Sequence, residues 1–192
     1  FSLRFQNSDL NSLFFNGNGT VKGFETLLQK KIDKYTGWVS YTFIDAENIY
    51  PLLNYGNSFP APNTQKNEFK IFNNYEINGW NFSVNFIYGS GKSFTEPSYN
   101  YNITLLDNSN LNFVGVGPKN GSLLPDYHRL DISVHHMFNL EKAKGDIGLS
   151  IFNLYNKLNV WYYEYNFDQR PYVRQTKNYL GIVPNLSFKL TF

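Results

Sequence analysis

The sequence predicts an all-β protein whose antiparallel strands form part of the wall of a transmembrane β-barrel. The first observation is the final segment, residues 186–192. Apolar residues occupy every second position there: Leu186, Phe188, Leu190 and Phe192. Because side chains along a strand alternate between its two faces, this segment has one apolar and one polar face. An aromatic residue at the end of such a strand suits a membrane interface, whereas the alternative is an edge strand of a soluble β-sandwich.

The second observation is the composition. The 192 residues include 18 Phe, 15 Tyr and 3 Trp, yet the mean hydropathy is only −0.42. This combination is typical of a wall that is apolar outside, polar inside and ringed by aromatic residues at both rims. The sequence contains no run of 18 apolar residues, so any membrane span must be made of strands.

Charge and cysteine content exclude several classes of function. The net charge is +2, from 17 basic and 15 acidic residues, which gives no reason to expect nucleic acid or another polyanion as a partner. The absence of cysteine excludes disulfides and thiolate metal sites. The chain starts at Phe1 without Met or a signal peptide, so we expect a processed product or a fragment.

The strands are predicted from alternating runs between turn signals. After the turn cluster at 16–19, strands are expected at about 21–32 and 35–43 on either side of Asp33-Lys34. A hairpin of strands 67–77 and 80–89 is expected around Asn78-Gly79, a strong two-residue turn signal. A short link at 139–145 is predicted to join a strand at 129–138 to one that begins at 147 and ends near Asn156.

The predicted connections alternate in length, which is the third observation. The short turns are 33–34, 78–79 and 139–145, and the long loops are 45–66, 93–126 and 158–179. Outer-membrane barrels keep short turns on the periplasmic side and long loops outside. With one more strand before residue 16, the chain has about eight strands. Their inward residues are mostly small and polar, which favours a wide barrel, and the sheet edges must meet each other or further strands.

Ionisable residues concentrate where the second long loop meets its following strand. Arg129 and Asp131 lie two residues apart and face the same, inward side, so they are candidates for contact with the lumen or with a plug. A structural salt bridge to a neighbouring strand is the alternative. Gly89–Ser93 lacks the spacing and the helix of a phosphate-binding loop. The histidines lack a third ligand at metal spacing, and no set of residues suggests catalysis or a cofactor.

The third long loop is rich in aromatic residues and arginine. The candidate ligand-binding residues are Trp161, Tyr163, Arg170 and Arg174. Aromatic faces and guanidinium groups at the mouth of a barrel are suited to stacking and charged contacts with a ligand. The alternative is an aromatic girdle at the membrane interface.

Several stretches resemble the C-terminal part of TonB-dependent outer-membrane receptors, in the branch with a carboxypeptidase-regulatory-like N-terminal domain. In family order, the matching stretches are residues 19–25, 36–42, 88–97, 124–131, 150–160 and 181–192. The resemblance implies a twenty-two-stranded barrel filled by a plug, of which residues 1–192 supply about the last eight strands. The ending resembles the C-terminal signal for barrel assembly, carried by Phe188, Leu190 and Phe192. The plug, the TonB-contacting segment and the signal peptide are not expected within this chain.

The resemblance also implies a function, a location and partners. We expect TonB-dependent active uptake of a nutrient of the siderophore, glycan or peptide class, in the outer membrane of a Gram-negative bacterium. The implied partners are outer-membrane lipid, the plug of the same parent protein and the TonB complex, with a surface lipoprotein as a further candidate. A passive or structural barrel without energy coupling is the alternative, and an aromatic-rich binding sandwich is a more distant one. The cargo stays open.

Overall fold

The computed structural model describes residues 16–169 and 171–192. Within these residues there are fourteen β-strands, one short 3₁₀ turn at Asn54–Gly56 and no α-helix. The strands are β1 (Asn18–Ile32), β2 (Tyr35–Ile49), β3 (Phe59–Pro60), β4 (Asn67–Ile77), β5 (Trp80–Gly89), β6 (Ser93–Phe94), β7 (Pro97–Thr104), β8 (Asn110–Val116), β9 (Ser122–Leu123), β10 (Tyr127–Leu140), β11 (Ala143–Phe152), β12 (Val160–Asn166), β13 (Val173–Asn178) and β14 (Val183–Thr191). None of the described residues forms a helix long and apolar enough to cross a membrane.

Seven long strands form one antiparallel sheet in the order β1-β2-β4-β5-β10-β11-β14, and the short β3 pairs with β2. Every pair of neighbours is antiparallel, as the alternating runs predicted. The predicted strands at 67–77 and 80–89 are confirmed at the same residues. The strand predicted before residue 16 lies outside the described residues.

The register of the sheet places most of the apolar positions of the long strands on one face. Cross-strand pairs on this face include Val39 with Ile71, Val84 with Ile132, and Leu149 with Leu186. The opposite face is mostly small and polar, as in the pairs Ser83 with Ser133 and Gly148 with Ser187, and it also carries the stacked rings of Trp38 and Phe72. A one-residue slip in any strand would move its apolar set to the polar face. The alternation read from the sequence therefore fixes the register across the whole sheet.

No protein layer covers this apolar face within the described residues. Phe59 is the only buried hydrophobic side chain among them, and it lies in the short strand β3. By contrast, Leu28 on β1 is 75% exposed, Leu186 on β14 is 73% exposed and Val84 in the middle of the sheet is 40% exposed. The sheet thus differs from a soluble sandwich, in which the apolar faces of two sheets bury each other.

The connections are sorted by length between the two ends of the sheet. The two-residue turns Asp33-Lys34, Asn78-Gly79 and Glu141-Lys142 all lie at one end, because each joins neighbouring antiparallel strands. Asn78 and Gly79 have φ values of 49° and 80°, and a tight hairpin turn of this type requires positive φ at both positions. The link predicted at 139–145 is wrong in length, because Leu140 and Ala143 already pair across the turn.

The long connections are more ordered than the sequence predicted. Within the predicted loop 93–126 lie the hairpin β7–β8 and the short pair β6–β9, and within 158–179 lies the hairpin β12–β13. The strand β2 continues to Ile49 instead of ending near residue 44. The strands of these hairpins do not pair with the main sheet, so the alternating pattern that predicted the main sheet did not predict them.

The main sheet is open within the described residues. Its edges are β1, of 15 residues, and β14, of 9 residues, and they do not pair with each other. The described chain is therefore an all-β antiparallel sheet with two free edges, one apolar face, and ordered loops at one end.

Candidate ligand-binding site

A cavity of about 350 Å³ lies on the polar face of the sheet, at the end that carries the long loops. Its wall side is formed by Ile87 and Gly89 of β5 and by Tyr127 and Arg129 of β10, which pair directly across the two strands. Its loop side includes Trp161 at the start of β12. The structure therefore places Arg129 and Trp161, predicted as parts of two separate sites, around one cavity.

Arg129 is held in place by three contacts within the wall. Its Nε donates to the Asp131 carboxylate, 2.9 Å away, and its Nη1 donates to the Tyr127 hydroxyl at 3.0 Å. The guanidinium group also lies 4.0 Å above the ring centroid of Phe152, a cation–π geometry. The Nη2 atom makes no hydrogen bond to a described residue, and Arg129 is one of the residues that line the cavity.

Asp131 joins three strands at the same level. Its carboxylate accepts the backbone N–H of Asn153, just after β11, at 2.9 Å and a side-chain N–H of Asn85 on β5 at 3.3 Å. The Arg129 and Asp131 side chains are only 19% and 22% exposed. The salt bridge therefore lies within β10, and not between strands, while the Asp131 carboxylate also accepts hydrogen bonds from Asn85 and Asn153. Whether it contacts a plug stays a prediction.

Three asparagines at three-residue spacing organise the loop beneath the cavity, and the sequence analysis did not single them out. Asn153 is fully buried; its amide donates to the carbonyls of Lys157 and Leu180, and its side-chain oxygen accepts the Lys157 N–H. The Asn159 side chain forms two hydrogen bonds with the backbone of His128, and Asn156 accepts the N–H of residue 182.

This asparagine cluster explains why β11 ends at Phe152 and not near Asn156 as predicted. Asn153 and Asn156 have φ values of 55° and 53°, a left-handed conformation that Asn tolerates better than most residues and that ends a strand. The feature of the sequence that could have indicated this loop is the three-residue spacing of Asn153, Asn156 and Asn159. Side-chain amides at such positions can replace backbone hydrogen-bond partners in turns.

The aromatic and arginine cluster of the third loop divides into two groups. Trp161 is 55% exposed, contacts Tyr179 at 5.8 Å between ring centroids and lines the cavity. Tyr163 and Arg174 instead lie together on the hairpin β12–β13, with the guanidinium 4.4 Å from the Tyr163 ring centroid. Tyr163 also contacts Phe94 of the second loop. Arg170 lies outside the described residues.

Contacts around Glu96 fix the second loop to the third. Its carboxylate accepts from Arg174 Nη1 at 3.3 Å and from the Tyr165 hydroxyl at 3.4 Å, and Tyr172 donates to the Pro97 carbonyl at 2.8 Å. Burial, followed by the nearby negative charge of Glu96, raises the pKa of Tyr165 above its ordinary value. Arg174 therefore holds two loops together in this structure.

Two glycines allow the loops to lie close to the end of β5. A Cβ atom at Gly89 would overlap the amide of Gln65, and one at Gly91 would overlap the carbonyl oxygen of Leu124. Both neighbours line the cavity. Gly89 and Gly91, which the sequence did not predict to form a phosphate-binding loop, instead leave space for the Gln65 side chain and the Leu124 backbone beside the cavity.

Each of the three histidines contacts a different neighbouring residue. His128 Nδ1 and the Tyr155 hydroxyl share a hydrogen bond of 2.7 Å, His135 lies 3.4 Å from Asp146, and His136 stacks on Trp80 with centroids 4.3 Å apart. Among residues 16–169 and 171–192, no three acidic or histidine side chains are close enough together to hold a metal ion.

The terminal strand carries the residues predicted to form an assembly signal. Phe188 pairs with Ile147 and Leu190 with Gly145 on the apolar face, and they are 62% and 39% exposed. Phe192 follows the last strand residue and is 96% exposed.

Comparisons with protein-family models, with curated proteins and with solved structures found no match for this chain. The resemblance to TonB-dependent receptors consequently rests on the sequence stretches given above.

Proposed function

We propose that this chain is part of the wall and outer loops of a transmembrane β-barrel in the outer membrane of a Gram-negative bacterium. The parent protein would be a receptor for TonB-dependent nutrient uptake. The observation that carries the barrel is the uncovered apolar face of the seven-stranded sheet. Burial of apolar surface contributes about 25 cal/mol per Å², so a face of this extent would be strongly driven out of water.

The dimensions of the sheet suit a lipid bilayer. Its seven long strands contain between 9 and 15 residues, and a tilted strand needs about 9–11 residues to cross the hydrocarbon core. At the short-turn end, the apolar face carries Trp80, Phe82, His136 and Phe138, whose rings stack on one another. Such a band of rings is typical of an interfacial girdle.

Uptake is supported by the resemblance in sequence and by the position of the cavity. The cavity lies on the polar face, which would line the lumen, and among the loops that would project over the mouth. A wall that served only as a passive pore would need neither a shaped cavity nor loops fixed to each other. Energy coupling would depend on a plug, and a plug sequence upstream of Phe1 in the same gene tests this part of the proposal.

The barrel is tested by labelling single cysteines, because the chain contains none of its own. Ile132, Ser133 and Val134 are consecutive residues of β10 that alternate between the apolar and polar faces. In outer membranes of cells that express the parent protein, a charged maleimide should modify Ser133→Cys. Ile132→Cys and Val134→Cys should react only after solubilisation and denaturation. Equal reaction at all three positions in intact membranes would contradict the proposal.

A further inference from the structure

We propose that the cavity beside Arg129 binds a small molecule that combines a flat apolar ring with a carboxylate. This ligand class narrows the uptake function proposed above and rests on it for its biological role. Binding itself requires only the folded parent protein and no energy coupling. The proposal follows from the size of the cavity, from the fixed position of Arg129 and from the balance of donors and acceptors in the lining.

The cavity has the size and lining of a small-molecule site. Its volume of about 350 Å³ falls in the range of about 300–1,000 Å³ that is usual for such sites. Ile87, Phe152, Val160, Trp161 and Leu180 supply much of the lining, and this surface favours an apolar or aromatic ring. A ring stacked beside Trp161 would be bounded on the wall side by Phe152 and the guanidinium group above it.

Arg129 supplies a preformed anchor for an anion. Asp131, Tyr127 and the Phe152 ring already fix the guanidinium group, so a ligand would not have to order a flexible side chain. The two N–H groups of Nη2 have no partner among the described residues. A planar guanidinium edge matches a carboxylate better than it matches a neutral amide, and the charge strengthens the hydrogen bonds.

The remaining polar lining offers more donors than acceptors. The Gln65 amide, the Lys92 ammonium and the Ser90 hydroxyl all line the cavity, and Ser90 Oγ already accepts the Asn67 N–H at 3.0 Å. Glu68 is the only carboxylate among the lining residues, and Lys70 neutralises it at 2.6 Å. An acceptor-rich anionic group is therefore favoured over a cationic or donor-rich one.

The test uses 2-naphthoate and its neutral counterpart 2-naphthamide as probes. Each is titrated by calorimetry into the parent protein purified in detergent micelles, and titrations into empty micelles are subtracted. We expect 2-naphthoate to bind at least about tenfold more tightly than 2-naphthamide. In Arg129→Gln this preference should fall to about onefold while the affinity for 2-naphthamide is kept. Unchanged amide binding also reports that the variant cavity is folded.

Trp161→Ala tests the ring site independently of Arg129. It should weaken both probes about tenfold. Tyr101→Ala is the matched control, because Tyr101 is a half-exposed aromatic residue of the hairpin β7–β8 and does not line the cavity. Its affinities should equal those of the unchanged chain.

Equal affinity of the two probes for the unchanged chain, or no binding of either at millimolar concentration, would overturn the proposal. These outcomes are separate from those of the cysteine labelling. A chain that labels as a barrel but binds neither probe refutes only the ligand site. A chain that binds 2-naphthoate but labels on both faces refutes only the barrel.

Discussion

Placing one charge on either side of strand β5 is the sharpest way to ask which face meets lipid. Val84 lies on the apolar face, paired with Ile132, whereas Ser83 lies on the polar face, paired with Ser133. We compare Val84→Arg with Ser83→Arg, which add the same side chain at adjacent positions. The only large difference between the variants is the face that receives the guanidinium group.

The magnitude follows from the height of Val84 in the sheet. Val84 is four residues beyond Trp80, about 14 Å along the strand, and a strand tilt of about 40° reduces this to about 10 Å of height. The apolar band of a barrel is about 25 Å tall, so Val84 would lie close to its midplane. An arginine facing lipid there costs about 2–4 kcal/mol.

Ser83→Arg should also destabilise the fold, but by less than Val84→Arg and for a different reason. The Ser83 hydroxyl donates to the Asn74 side chain at 2.6 Å, and losing this hydrogen bond costs about 0.5–1.5 kcal/mol. Ser133→Arg is a second control on the polar face. We therefore expect Val84→Arg to destabilise the fold by about 0.5–3.5 kcal/mol more than Ser83→Arg.

The assay is reversible urea unfolding of the parent protein in lipid vesicles, followed by tryptophan fluorescence. A lower midpoint for Val84→Arg than for both serine variants supports lipid contact at Val84. Equal costs, or a higher cost for the serine variants, would mean that the two faces are assigned the wrong way round. The same measurement in detergent shows whether the penalty requires a bilayer.

Phe192→Asp should reduce the amount of protein in the outer membrane, because it removes the aromatic residue from the predicted assembly signal; surface labelling measures this, and normal levels would contradict it. Asn153→Ala should cost about 2–4 kcal/mol, because three side-chain hydrogen bonds of a fully buried residue are lost; urea midpoints test this against Asn102→Ala in the exposed hairpin, which should change little. Since the pKa of Tyr165 is raised above 10.0, its contribution to stability is present below pH 10 and is lost as the pH rises through the folded value. Tyr165→Phe should therefore flatten the fall in stability between about pH 9 and about pH 11, and an unchanged slope would rule out Tyr165 as its source.

The sheet could be predicted from the sequence because its pattern is set by a single alternation. Asn78-Gly79 fixes one hairpin, and period-two runs place the flanking strands to the residue. The hairpin β7–β8 was not predicted, although it also alternates. Its apolar positions, such as Tyr101 and Phe113, are interleaved with asparagines, whose frequency in turns suggested an irregular loop.

The candidate site was predicted only in part. Trp161 and Arg129 were identified for their chemistry, but 31 residues separate them, and their meeting depends on how the third loop folds back over β10. That fold depends on Asn153 and Asn159, whose side-chain amides replace backbone partners that no local pattern specifies. Sequence periodicity describes the wall, whereas the cavity depends on these long-range hydrogen bonds.

The two edges of the sheet, β1 and β14, which are unpaired within the described residues, limit how the sheet could be placed in a lipid bilayer. An antiparallel edge strand leaves about half of its backbone groups unpaired, and β1 alone spans 15 residues. In hydrocarbon each unpaired group costs several kcal/mol, so the edges together would cost more than the about 5–15 kcal/mol that stabilises a typical domain. A sheet in lipid must therefore have its edges paired, either with each other or with further strands. Direct closure of β1 on β14 would make a narrow barrel with a lumen that side chains must fill. The polar face carries only small residues at Ser133, Gly148 and Ser187 in its middle, so pairing with further strands in a wider barrel is the arrangement we expect.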